Sequence, residues 1–157
     1  MPVSPLNEQR IGQLPKDRSQ VWLRSTLPLM AAGARILSLT RLAEWISRIP
    51  VRRSPKRWRE VVADLRMFAA DHPRSCLITS FHQAASVLRQ GLSCHLTIGV
   101  WIPTTDMHAW TTIVQSDREK EREYLISDDP DKIGHYQPAL RFSFRNGDHA
   151  HPHGIPT

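Results

Sequence analysis

The sequence predicts an α+β fold, with helices first and a small antiparallel sheet second. Three observations carry this. Apolar residues recur at helical spacing from about Pro28 to about residue 90. From Cys94 onward the pattern switches to alternation. No strand precedes the helices, so the order is not the βαβ alternation of a parallel sheet.

A chain of 157 residues with 40% hydrophobic and 23% charged content has the length and composition of one folded domain. Its organisation is predicted as a mobile N-terminal arm over residues 1–27, a domain over 28–145 and a frayed tail over 146–157. The arm is polar and carries Pro2, Pro5 and Pro15. Pro28 fits the first turn of a long helix, in which Leu29, Met30, Ile36, Leu37, Leu39, Leu42, Trp45 and Ile46 recur at helical spacing before Ile49-Pro50 closes it. Arg35, Arg41 and Glu44 interrupt that run, so it is too short and too charged for a membrane span, and packing on the core or on a partner is expected. Ser54 and Pro55 supply an N-cap and a first helical position for a second helix, with Trp58, Val61, Val62, Leu65 and Phe68 on one stripe. A third helix starts near Ser75 or Cys76 and stops at Gly91. Strands follow over Cys94 to Trp101, His108 to Val114 and Glu123 to Asp128, with a charged exposed hairpin between the last two and a short strand near Arg141 to Phe144.

Charge is uneven. Residues 1–75 carry 14 Lys and Arg against 6 Asp and Glu, whereas residues 76–157 carry 7 against 9. The basic half could meet an acidic peptide, a nucleic acid or a membrane surface, or be a solvated face. No nucleic-acid module signature, GxGxxG or Walker loop is present. Cys94 and His95 with His82 or His108, and His149, His151 and His153 in the tail, lack the spacing of a metal site, so no cofactor or metal is expected. Two cysteines make no disulfide framework and the N-terminus has no apolar signal core, which points to a reducing cytoplasm.

The candidate chemistry lies between Arg74 and Asp129. A thiolate nucleophile needs a base to take its proton and a third group to hold that base. Cys76 stands at a helix start, where the helix dipole favours an anion, with Arg74 two residues before it. His108 stands at the mouth of a strand. Asp128 or Asp129 ends the returning strand beside it. The alternation of Tyr124, Ile126 and Asp128 favours Asp128. Trp110 shares the histidine's side of its strand, as core or as a wall to the site.

The ordered set R-S-C-L at 74–77, L-R-x-G ending that helix, L-x-I-G-V at 96–100, H-A-W at 108–110 and a strand ending in Asp resembles the lasso peptide biosynthesis B proteins. The likeness covers roughly residues 30–130 and is greatest to their stand-alone B2 protease type, within the transglutaminase-like branch of papain-type cysteine proteases. The resemblance implies a papain/transglutaminase-like fold and removal of the leader from a ribosomally made precursor peptide. Cys76 would be the nucleophile, His108 the base and Asp128 its orienting group. It also implies a separate leader-recognition protein, of the kind called B1, since the residues before Arg53 read as an arm and a helix. An ATP-dependent macrolactam cyclase would take the product. Thr79 stands where the family often has Arg, Asp106 and Met107 replace aromatic and small residues before the histidine, and the last hairpin is longer than usual. A transglutaminase-like acyl transferase or amidase, or a binding module with an inert Cys76, are the other readings of the same residues.

Overall fold

Helices occupy the first half of the chain and strands the second, as the periodicities predict. The structure is a computed structural model that describes residues 18–53, 55–145 and 151–154. Its helices are α1 (Arg18–Ile36), α2 (Leu39–Ser47), α3 (Trp58–Asp71), α4 (Cys76–Arg89) and the short α5 (Pro130–Ile133). Its strands are β1 (Ser93–Trp101), β2 (Asp106–Asp117), β3 (Lys120–Leu125), β4 (Gln137–Phe144) and β5 (His151–Gly154). They form one sheet in the order β3-β2-β1-β4-β5, and every neighbouring pair is antiparallel.

α4 is the centre of the molecule. Every residue from Ser80 to Leu88 is buried, because the sheet covers one side and the other helices cover the rest. On the sheet side Phe81 meets Phe142 of β4 at 6.2 Å between ring centres, with Leu96, Ile113 and Phe144 completing the layer. On the helix side His82 lies against Phe68 of α3 and Trp22 of α1, at 5.0 and 6.4 Å. Its Nε2 lies 3.0 Å from the carbonyl of Leu23. A carbonyl only accepts, so Nε2 carries the proton.

The first helix begins earlier than predicted. Residues 18–27, expected as part of an arm, form the first half of α1, and Leu23 and Leu27 are buried with Met30 on one face. Pro28 lies inside α1, where its ring forgoes one backbone hydrogen bond. The burial of the stripe on both sides of it outweighs that loss. The predicted single helix is in fact two, because Ser38 caps α2 by accepting from Arg41 N–H at 3.3 Å. Spacing alone reads through this break, since Leu37 and Leu39 continue the apolar pattern.

α3 starts at Trp58, not at Pro55; Ser54 lies outside the described residues. The connector before it is held along the end of α4 instead. Arg52 N–H donates to Arg89 O at 2.7 Å and Lys56 N–H to Gln90 Oε1 at 2.8 Å. Part of the predicted frayed tail is a strand: β5 pairs with β4 from Ser143↔His151 to Leu140↔Gly154, which covers an otherwise open sheet edge. Among the described residues no helix is long and apolar enough to cross a membrane.

Burial lowers the pKa of His82 to about 4, against the opposing pull of the Leu23 carbonyl. The unfolded chain therefore binds a proton below about 6.5 that the folded chain refuses until about 4, so stability falls as pH falls through that window. Burial lowers His95 as well, which adds a slope of the same sign. Denaturant unfolding at pH 7 and 4.5 should show His82→Gln losing about 2 kcal/mol less than the unaltered protein on acidification. Equal losses would mean that His82 titrates normally in the folded state.

Candidate active site

Ser75 starts α4. Its Oγ accepts from Ile78 N–H at 3.4 Å and its carbonyl from Thr79 N–H at 3.0 Å. Cys76 is therefore the first helical residue, half-buried, at the positive end of a fourteen-residue helix. The cap leaves the N–H groups of Cys76 and Leu77 as free donors of the first turn.

His108 is buried near the start of β2. Its register partner is Gly99, and the reason for a glycine there is local. A Cβ at Gly99 would lie 2.9 Å from the Trp110 ring and 3.0 Å from Gln137 O. Trp110 fills that space and stacks beside His108 at 6.3 Å, while Tyr136 flanks the imidazole at 5.2 Å. Nε2 of His108 is 2.8 Å from Asp128 Oδ1. A carboxylate only accepts, so Nε2 holds the proton and Nδ1 is the basic nitrogen of the neutral ring.

Asp128 does not end a strand. β3 stops at Leu125, and Asp128 sits in the bend between β3 and α5. Two side chains hold that bend. Arg66 of α3 donates through Nε to Ile126 O, and through Nη2 to Leu125 O at 3.1 Å. Gln83 of α4 donates through Nε2 to Ser127 Oγ at 2.6 Å. Asp129 caps α5 instead, accepting from Asp131 N–H at 3.0 Å. Of the two neighbouring carboxylates, Asp128 is the one bonded to the histidine.

Cys76, His108 and Asp128 line one cavity of about 620 Å³, with Arg66, Arg74 and Lys132 around it. The three predicted residues thus come to one place from a helix start, a strand start and a bend. Reasoning from sequence misses Tyr136, Gln83 and Arg66. For Gln83 a signal exists, since it is a polar residue within an apolar helix segment; for Tyr136 and Arg66 local spacing offers none.

The other candidates lie apart. Cys94 is fully buried on the helix side of β1 with Sγ 3.9 Å from Ala84 O, and burial raises its thiol pKa well above the ordinary range. His95 lies on the opposite face, 3.9 Å from Glu123. Among the described residues no three His, Cys, Asp or Glu side chains are placed to hold a metal ion. His149 lies outside the described residues, and His151 and His153 fall on β5. A second cavity of about 460 Å³ opens at the other end of α4, lined by Arg52, Arg53, Lys56 and Arg89 over Leu23 and Leu65. It holds neither a thiol nor an imidazole.

An α+β fold that presents a cysteine at a helix start to a strand-borne histidine belongs to the papain and transglutaminase class of architecture. The family profile described as the transglutaminase-like superfamily matches residues 21–141, and the chain belongs to that superfamily, whose members are typically cysteine-dependent enzymes and include cysteine proteases. Comparison with curated proteins and with solved structures gave no match.

Gly99→Ala should cost about 1–3 kcal/mol in denaturant unfolding, because the new Cβ must displace Trp110 or the Gln137 carbonyl. The tryptophan shift should also show as a changed near-ultraviolet circular dichroism signal. A variant with unaltered stability and spectrum would mean that the strand accommodates a methyl there.

Proposed function

We propose that the protein is a cysteine peptidase that removes the leader from a ribosomally made lasso peptide precursor. The observation that carries this is the His108–Asp128 bond of 2.8 Å inside a cavity that Cys76 also lines. In the proposed reaction Nδ1 of His108 takes the proton of the Cys76 thiol. The sulfur attacks the carbonyl at the leader–core junction. The free N–H groups of the first turn of α4 face the developing oxyanion. His108 returns its proton to the departing core amine. Water, activated by the same imidazole, then releases the leader from the thioester. Asp128 keeps the imidazole in the required tautomer and stabilises the imidazolium while the proton is held.

Partners belong to the same proposal. A separate leader-recognition protein of the B1 kind brings the precursor, and an ATP-dependent macrolactam cyclase consumes the freed amine. The basic cavity at the far end of α4 supports such a docking role, as do Val21, Leu29 and Ile36, which stay exposed along α1. The site of action is the reducing cytoplasm, where Cys76 remains a thiol.

The test uses a lasso precursor peptide together with a leader-recognition protein of the B1 kind. Cys76→Ala should abolish cleavage without changing the unfolding midpoint. Asp128→Asn should lower the rate about 10²–10⁴-fold, because the amide no longer fixes the tautomer. Cleavage by Cys76→Ala at the unaltered rate would end the peptidase reading. A product carrying an added amine in place of water would make the protein an acyl transferase.

A further inference from the structure

Cations outnumber carboxylates around the thiol. Arg66, Arg74 and Lys132 line the cavity of Cys76, and the single carboxylate among its lining residues, Asp128, is already engaged by His108. Arg66 directs its donors to the Ile126 and Leu125 carbonyls, which are neutral, so its charge is not cancelled. Among the described residues neither Arg74 nor Lys132 forms an ion pair. Asp71 at the end of α3, and Asp129 and Asp131 at the start of α5, do not line the cavity. The N-terminus of α4 adds its own positive end to the same space.

A concave site lined by charges of one sign raises the local concentration of the opposite ion and holds it against water. The Cys76 thiolate takes up one of these charges, the oxyanion is met by backbone donors and the imidazole proton is balanced by Asp128, so an excess of positive charge remains. The charge is left for the substrate. We propose that the cavity is an anion subsite: Arg74 and Lys132 receive a carboxylate, an acidic side chain within a residue or two of the cleaved amide. This narrows the peptidase reading above and rests on it for the word substrate, but the subsite itself is testable without any peptide.

The probes are iodoacetate and iodoacetamide, which alkylate the same thiolate and differ in charge. The fraction of thiolate cancels in the ratio of their rates. Buried Cys94 does not compete. The ratio for Cys76 should exceed that of N-acetylcysteine amide about tenfold at low salt, and fall as salt is added. Arg74→Gln and Lys132→Gln should each lower it about 2–5-fold and the double variant should lower it further. Lys120→Gln, at the far hairpin, should leave it in place. His108 and the start of α4 are the same in all these proteins, so the comparison among variants decides. A double variant with the ratio of the unaltered protein would overturn the subsite.

The two claims fail separately. Loss of the ratio in the double variant, with no precursor cut by the unaltered protein, would keep the subsite and remove the leader-peptidase reading. Cleavage of the precursor, with a ratio indifferent to both substitutions, would remove the subsite alone.

Discussion

One buried threonine ties together the three elements that carry the site. Thr111 of β2 donates from Oγ1 to Ser80 O of α4 at 2.9 Å, and its own carbonyl accepts from Ile126 N–H at 3.2 Å. The first bond fixes how far along the strand the helix sits. Ser80 is one turn beyond Cys76, and Thr111 is three residues beyond His108. The second bond carries the chain out of β3 toward Asp128. A slip of one residue in either would separate the thiol, the imidazole and the carboxylate, because each is positioned by its place in the chain and not by direct contact with all the others. In an interior of crystal-like packing density such a hook has little room to adjust.

The burial of α4 along most of its length has a chemical consequence. A helix gripped on all sides cannot tilt, so its first turn is held where the site needs it. Its two ends then differ in what they present. The N-terminal end carries the cysteine and opens on a cavity with the histidine. The C-terminal end, at Arg89 and Gln90, anchors the basic connector and opens on a cavity with no reactive group. Arg89 is itself held over the Trp22 ring at 4.9 Å, which fixes a charge at the rim of that second cavity. The thiol-bearing end and the basic end can therefore change independently on one rigid element.

Much of this is legible in the residues, and the reasons are specific. Cys76 and its cap Ser75 form a local signal, and so does the alternation that places His95 and Cys94 on opposite faces of β1. Asp128 is found with the right neighbour and for a slightly wrong reason: alternation through Tyr124 and Ile126 suggests a strand, yet the chain leaves the sheet at Leu125 and a bend delivers the carboxylate. Asp129 and Pro130 look like the end of a strand, although together they also make a helix cap. Sequence patterns fail where tertiary contacts decide. Pro28 looks like a helix start because a proline inside a helix is costly, and only the burial of Leu23 and Leu27 makes it tolerable. Tyr136 reaches His108 through the fold of the chain, which no spacing within a strand can announce.

In the proposed reaction the thiol chemistry depends on His108 drawing the proton from Cys76. The most direct measurement is the rate at which a neutral disulfide, 2,2′-dipyridyl disulfide, captures Cys76 at pH 6 to 7, in the unaltered protein and in His108→Ala. Capture should be well faster than that of a simple thiol in the first protein, and should fall to the simple-thiol rate in the second. Equal rates in the two proteins would contradict a proton transfer from Cys76 to His108.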